Sequence, residues 1–232
     1  MSEPTARPGA AAEPAGAHDE QTRRLILDTA VRLFGDRGYT ETTMRAVAQE
    51  AGVAVGDAYY HFGSKEELIQ GFYLGTQLEH RTVARPVLAR ESDLGPRLGG
   101  VLHAGLDVLA PHRAFAGTLL GAAAVPTSPL SPFSAESAEP RHVGIGLFRE
   151  VLEGSSTRID PEVRSELPDL LWLAYLALIF YWLHDRSPDQ ARTRALIDIA
   201  VPLIERGIGL SRVRVLRPIT RHVLDVIQTV RP

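Results

Sequence analysis

The stretch from Thr42 to Leu68 constrains the fold more than any other part of the 232-residue chain. Met44, Val47, Ala48 and Ala51 recur at three- and four-residue spacing, which predicts a short helix with one inward stripe and with Arg45, Gln49 and Glu50 in solvent. Gly52 ends that helix, because glycine enters the left-handed region without steric cost and lets the chain double back, while Val53 plugs the gap between two helices. The next helix begins near Ala54 or Val55. Tyr59 and Phe62, three apart, are expected to face the core, leaving Val55, Gly56, Asp57, Tyr60 and His61 on or near the outer face. Ser64 followed by Glu67 is a capping box, so a third helix starts at Lys65. Two short helices around a glycine turn, the second turned outward, form the layout with which a helix-turn-helix reads duplex DNA.

Upstream, Asp19 to Arg37 reads as a helix with Ile26, Ala30, Leu33 and Phe34 as its buried stripe, and Gly38 ends it. This segment includes Leu-Ile-Leu-Asp-Thr-Ala-Val-Arg-Leu-Phe-Gly-Asp-Arg-Gly-Tyr, and Thr-Thr, Ala-Gly-Val, Tyr-Tyr-His-Phe and Ser-Lys-Glu follow in order. On these motifs the span from about Leu25 to Tyr73 resembles the N-terminal domain of the tetracycline-repressor (TetR) family. Beyond about residue 80 no motif is recognised. The resemblance implies an all-α protein with an N-terminal three-helix DNA-binding domain and a larger C-terminal helical domain for ligand binding and dimerisation. It also implies a homodimer that holds double-stranded operator DNA and releases it when a small-molecule effector enters the C-terminal domain.

Residue roles follow by position. Thr42 is expected to cap the second helix, which aims the Thr43 hydroxyl and the free helix amides where a phosphate can sit. Tyr60 and His61 resemble the family's backbone-contacting pair, and Lys65 resembles its phosphate anchor. Lys65 is the one lysine among 25 Lys and Arg residues, a compact ammonium in a chain that otherwise uses guanidinium. Base reading falls to Arg45, Val55, Gly56 and Asp57. A bidentate Arg45 contact to guanine is worth roughly 1–3 kcal/mol of discrimination. Asp57 departs from the uncharged polar residue more usual in the family, which puts the operator sequence in question. Six basic residues face seven acidic ones between Glu20 and Glu66, and the whole chain carries −3. DNA affinity must therefore come from placed contacts, doubled in a dimer whose recognition helices stand about 34–36 Å apart on a near-palindrome.

The domains are expected at 1–18, a disordered arm rich in Ala, Pro and Gly; 19–66, the DNA-binding domain; and 67–232, the C-terminal domain. The arm carries Arg7 against Glu3 and Glu13 and reads as a tail. A fourth helix runs from Lys65 to about Ala84, with Pro86 at its end; Gly71 and Gly75 inside it mark a bend or, more readily, close packing. Further helices are expected over Asp93–Ala110, Arg113–Ala124 and Arg141–Glu153. Four prolines and four serines between Val125 and Pro140 predict a loop that can cover a pocket. Leu170 to Leu183 is apolar on every side for fourteen residues, short of the roughly 20 that a bilayer requires, so burial all round without a membrane is expected. A last helix after Ser187 and Pro188 carries an apolar stripe of Ala195, Ile199, Leu203 and Ile204, with Pro202 kinking it. Pairing these two helices across a two-fold makes a four-helix interface.

The candidate effector contacts are His103, Phe115, His142, Phe148, Trp172 and Tyr175, which suit a largely hydrophobic ligand. Arg212, Arg214, Arg217, Arg221 and Arg231 face only Asp225 near the C-terminus and read as a solvated or partner-facing surface. The eight histidines fall in no metal-ligand spacing, and no nucleophile elbow or phosphate loop occurs, so neither an enzyme, a cofactor nor a metal is expected. The lone Gly-Ile-Gly at 144–146 follows no strand and is no nucleotide motif. Without cysteine or a signal sequence, a cytoplasmic protein is expected. The alternative reading is a helical dimeric ligand-binding or interaction module that lacks operator affinity, with Asp57 and the acidic balance as its motive.

Overall fold

The computed structural model describes residues 15–210, and the arm before them and the arginine-rich segment after them lie outside the described residues. Nine α-helices account for the described fold: α1 (Ala15–Arg37), α2 (Met44–Ala51), α3 (Val55–His61), α4 (Lys65–Arg90), α5 (Leu94–Leu109), α6 (Arg113–Ala123), α7 (Ala138–Glu153), α8 (Pro161–His184) and α9 (Ala191–Leu210). No strand occurs among the described residues. Helix α1 starts at Ala15, four residues into the expected arm.

The helices gather around two apolar cores. In the head, Ile26, Ala30, Leu33 and Phe34 of α1 meet Met44, Val47 and Ala48 of α2, Ala58 of α3 and Leu68, Ile69 and Phe72 of α4. Helix α6 enters this core from the middle of the chain: Phe115 stacks on Phe34 at 5.7 Å and meets Phe72 edge-on at 4.8 Å. The body core is built from α5, α7, α8 and α9 against the distal half of α4, with Leu98, Leu106, Phe148, Val151, Trp182 and Ile197 nearly sealed from solvent. Arg113 ties α6 to the body by donating from Nη2 to the Trp182, Leu183 and Asp185 carbonyls at the end of α8.

Helix α4 does not stop at Pro86 but continues to Arg90. Proline removes one amide donor from the ladder, a local loss that the tertiary structure offsets. Arg97 Nη1 donates to the Leu88 and Glu91 carbonyls at 2.6 and 2.7 Å, satisfying acceptors that a helix end leaves free. The two glycines of α4 differ. A side-chain carbon at Gly71 would stand 3.1 Å from Phe62 Cε1, which is close packing, whereas one at Gly75 would meet nothing within 4 Å. The 124–137 segment is a series of turns held on α4, with Gln70 donating to the Pro129 carbonyl and Tyr73 to the Leu130 carbonyl. Helix α7 already begins at Ala138, so Pro140 lies in its first turn, where the missing amide costs little.

Helix α8 is not buried all round within one chain. Leu171, Trp172, Tyr175, Leu178 and Trp182 face the core, while Ala174, Ala177, Phe180 and Tyr181 face solvent. Its stretch Val163–His184 is long and apolar enough to cross a membrane by length and composition, longer than the fourteen-residue run, yet a full side of it is committed to the body core. In α9 the core side is Thr193, Ile197, Val201 and Ile208; of the expected stripe, Ala195, Ile199 and Leu203 point outward and only Ile204 packs inward. Helix α9 runs through Pro202 to Leu210. Its start is organised by Asp185, whose carboxylate accepts from the Ser187 amide and hydroxyl and from the Thr193 amide and hydroxyl, and these bonds hold it well below the usual carboxylate range.

Candidate functional site

The outward helix is positioned by caps and by two buried side chains. Thr43, not Thr42, caps α2: its backbone is extended and its Oγ1 accepts the Ala46 amide at 3.1 Å. Thr42 is fully buried and locks the α1–α2 corner, donating to the Gly38 carbonyl at 2.9 Å and, more weakly, to the Leu33 carbonyl at 3.3 Å. One residue of register decides between these roles, because only the residue with extended backbone immediately before Met44 can reach the first free amides. Gly52 then takes φ 70° and ψ 26°, its amide donating back to α2. That conformation is strained for any side chain and open to glycine.

Helix α3 rests on Ala58 and Phe62, both nearly sealed from solvent. Tyr59, expected inside, is 51% exposed; the small Ala58 brings the helix so close to α1 and α2 that the larger ring is left outside. Tyr60 is 78% exposed, and Val55, Gly56 and Asp57 share its open side. His61 is turned in instead, its side chain only 6% exposed with Nε2 3.7 Å from Asp19 Oδ1 on α1. It meets Tyr60 edge-on at 5.2 Å and so supports that ring from behind. Arg45 stands exposed on α2 beside this surface.

Lys65 is held rather than free. Its Nζ donates to the Tyr39 carbonyl at 2.9 Å and lies 4.4 Å from the centre of the Tyr39 ring. The Tyr39 hydroxyl in turn donates to Glu66 Oε1 at 2.6 Å. That bond is the main cause of the lowered Glu66 pKa, and burial together with the carboxylate pushes the Tyr39 hydroxyl above its ordinary range. Ser64 Oγ accepts the Glu67 amide while Glu67 Oε2 accepts the Gly63 amide, completing the reciprocal cap. A fixed ammonium at a capped helix start, beside an open tyrosine and an open arginine, can bind successive phosphates and one base edge. The sequence reading missed Tyr39 and Glu66 as the residues that fix Lys65; the Gly-Tyr pair after α1 was the available signal.

The six expected effector contacts do not share one site. His103 is half-exposed between α5 and α9, with Nε2 2.9 Å from Asp198 Oδ1, and His142 is exposed on α7. Phe115 belongs to the head core and floors a cleft of about 780 Å³ between α1, α4 and α6, beside Leu27, Val31 and Phe72. Phe148, Trp172 and Tyr175 gather in the body core, with Phe148 and Tyr175 5.8 Å apart. His80, missed in the sequence, joins them: its ring lies 5.3 Å from Tyr175. The signal was the Phe72, Thr76, His80, Ala84 spacing, one buried stripe along α4 with two polar members. Among the described residues no group of three metal-ligating side chains occurs.

A three-helix head carrying an outward, turn-mounted helix on an all-helical body is the build of a helix-turn-helix transcriptional regulator. Residues 26–71 match the family of bacterial regulatory proteins named for tetR, and residues 97–226 match the tetracyclin repressor-like C-terminal domain. The chain belongs to the tetR family of transcriptional regulators. Among curated relatives, it is 38% identical over 63 residues to the HTH-type transcriptional repressor KstR2 of Mycolicibacterium smegmatis, covering 27% of this chain and 28% of that one. It is 33% identical over 98 residues to KstR2 of Mycobacterium tuberculosis, 40% and 46% of the two chains. With the HTH-type transcriptional regulator TtgR of Pseudomonas putida it shares 38% over 66 residues, 28% and 31%. Each alignment spans less than half of the relative's length. Among solved structures, a tetR-family transcriptional regulator from Streptomyces coelicolor superposes with TM-score 0.59 at 20% identity over 89% of both chains. The fatty acid degradation regulator FadR from Bacillus halodurans does so with TM-score 0.59 at 17% identity over 81% of this chain and 96% of that one. At such identity the likeness speaks for the fold alone.

Proposed function

We propose that the protein is a repressor that binds a near-palindromic operator as a homodimer and leaves it when a largely hydrophobic small molecule occupies the body. The observation that carries the DNA reading is the side-chain division of α3: Ala58 and Phe62 are spent on the head core, and Tyr60 stands 78% exposed next to Val55, Gly56 and Asp57. Thr43, Tyr60 and Lys65 are assigned to the phosphate backbone, Arg45 and the first turn of α3 to base edges, and His61 to holding Tyr60. The head is assigned to residues up to about 66, its core completed by Leu68, Ile69 and Phe72 at the start of α4 and by Phe115 of α6, and the body to the remainder. An operator as partner makes the site of action the cytoplasm.

The dimer reading rests on the outer face of α8 and α9. Phe180 is 56% exposed, Tyr181 43%, Ile199 65% and Leu203 60%, an apolar surface that a single chain leaves in water. Two copies joined there form a four-helix contact and present two α3 helices to successive major grooves. The test is a gel shift with DNA flanking the chain's own gene. Tyr60→Ala and Lys65→Ala weaken binding to all sequences alike, and a small-molecule titration releases the complex. A wild-type protein that retards no duplex leaves an interaction module without operator affinity as the surviving account.

A further inference from the structure

Helices α1 and α4 touch at one level and part at the next. A side-chain carbon at Gly71 of α4 would stand 3.6 Å from Leu27 Cδ1 of α1, so the two helices are in contact there. One turn further along α4, at Gly75, such a carbon would meet nothing within 4 Å. The gap that opens is the cleft of about 780 Å³ between α1, α4 and the turn leading into α6, a volume in the range of small-molecule sites. Phe72 and Phe115, both nearly sealed from solvent, are its floor, and Leu27, Val31, Leu74 and Leu78 line its sides. Phe72 meets Phe115 edge-on at 4.8 Å and His112 edge-on at 5.1 Å, which fixes an aromatic base. Glycine inside a helix is unfavourable, and at Gly75 no close packing offsets the cost; what the missing side chain leaves there is room.

The charges around the cleft are unequally engaged. Arg23, Arg24 and Arg32 share the lining with Glu20, Asp28, Asp36 and Glu79. Each arginine has a partner. Arg24 lies 3.7 Å from Glu20, Arg32 lies 2.7 Å from Glu50 on α2 and 3.8 Å from Asp36, and the Arg23 guanidinium stands 4.8 Å from the centre of the Phe62 ring. Asp28 on α1 and Glu79 on α4 are both exposed, and neither has an ion-pair or hydrogen-bond partner among the described residues. An apolar cleft whose two free charges are carboxylates, one on each helix, is complementary to a ligand with an apolar body and a positive charge. An anion would have to draw an arginine from its partner and would meet both carboxylates.

We propose that this cleft binds a small apolar organic cation, its hydrophobic body on Phe72 and Phe115 and its charge held by Asp28 and Glu79. The site goes beyond the effector reading above, whose ligand lies in the body. It stands where the two units meet, because α1 belongs to the head and α6 is tied to α8 through Arg113.

Three probes on one ring system separate charge from apolar contact: anthracenylmethylammonium, anthracenylmethanol and anthracene carboxylate, all substituted on the central ring. Each is titrated with the full chain and followed by its own fluorescence anisotropy. The ammonium should bind about tenfold more tightly than the alcohol, the combined gain of two partly exposed ion pairs, and the carboxylate more weakly than either. That preference should vanish near 1 M salt, where the screening length is about 3 Å. Asp28→Asn combined with Glu79→Gln should erase it at low salt and leave the alcohol within about twofold, with the melting temperature of the parent, since both side chains are exposed and unpartnered. Gly75→Leu places a side chain in the cleft and should weaken ammonium and alcohol alike by about tenfold or more. Ligand-free, it should melt no lower than the parent, because leucine is the better helix former, which separates a filled site from a damaged fold. Carboxylate binding as tightly as ammonium, an ammonium preference that survives the double substitution, affinities untouched by Gly75→Leu, or no binding of any probe overturns the proposal.

Discussion

In the head, the buried Thr42 hydroxyl donates to two carbonyls, Ser64 accepts the Glu67 amide while Glu67 accepts the Gly63 amide, and Lys65 is tied through Tyr39 to Glu66. In the rest of the chain the accounts differ: among the described residues, the two buried side-chain polar atoms without partners are His80 Nδ1 on α4 and Arg113 Nε on α6. The body also turns Phe180, Ile199 and Leu203 to water. Among the described residues the head leaves no buried side-chain polar atom unpartnered and turns Tyr59 and Tyr60 outward on α3, while the rest of the chain keeps unpartnered polar atoms inside and an apolar face on α8 and α9. The apolar face of α8 and α9 is where the proposed second copy would meet it. Preorganisation suits a surface that must match a rigid duplex, and an incompletely satisfied interior suits a region whose conformation a ligand must shift.

Phe115 is where the contrast is weakest, since it sits on α6 yet belongs to the head core. Phe115→Ala should cost about 3–5 kcal/mol, the usual penalty for emptying a buried phenylalanine site. Hydrogen exchange is the measurement that locates the loss. Amides of α1 and α6 should lose protection while those of α5 and α8 keep it. Equal loss everywhere would make head and body one cooperative unit and dissolve the comparison. The next largest effect belongs to the outer face of the body. Ile199→Glu, at a position 65% exposed, should leave the chain folded but monomeric in sedimentation and lower operator affinity about a hundredfold or more, because half of the phosphate contacts are lost. A dimer that survives this change and still grips DNA would mean that the copies meet elsewhere.

The head was legible in the sequence because its instructions are local. Glycine at 52, serine at 64 with glutamate at 67, and the 26, 30, 33, 34 stripe each specify a turn, a cap or a face within a few residues. Errors there were of register: Thr42 for Thr43 as the cap, Tyr59 for Ala58 as the inward residue. Such errors arise because spacing fixes a periodicity before it fixes the phase. The body was legible only as a set of helices. That α4 survives Pro86 depends on Arg97, which reaches back to Leu88 and Glu91, and on contacts between segments far apart in sequence. Likewise His103 and His142 looked no different from His80 on paper, yet only His80 is sealed in, because burial is a property of the assembled helices.

A smaller effect sharpens the account of the head. Arg45→Ala should relax the choice of a single base pair by roughly 1–3 kcal/mol, read from binding to an operator library. Lys65→Ala should instead weaken every duplex alike and lower the salt slope by about 1. If both substitutions act uniformly across sequences, Arg45 is a phosphate contact and base choice lies wholly with α3.

The smallest effect distinguishes head from body by acid alone. His80 is held neutral, with its pKa below the ordinary value of 6.5, while the same residue in the unfolded chain titrates near that value. Below it the unfolded state binds the extra proton first, so the contribution to stability is intact above pH about 6.5 and is lost as pH falls toward the folded pKa, with a limiting slope of about 1.4 kcal/mol per unit. The carboxylates with lowered pKa, Glu66 in the head and Asp185 at the start of α9, act only below about 4.5, where their unfolded forms titrate. Between pH 6.5 and 5 the body amides should therefore open sooner in hydrogen exchange while those of α2 and α3 hold, and His80→Phe should abolish the difference.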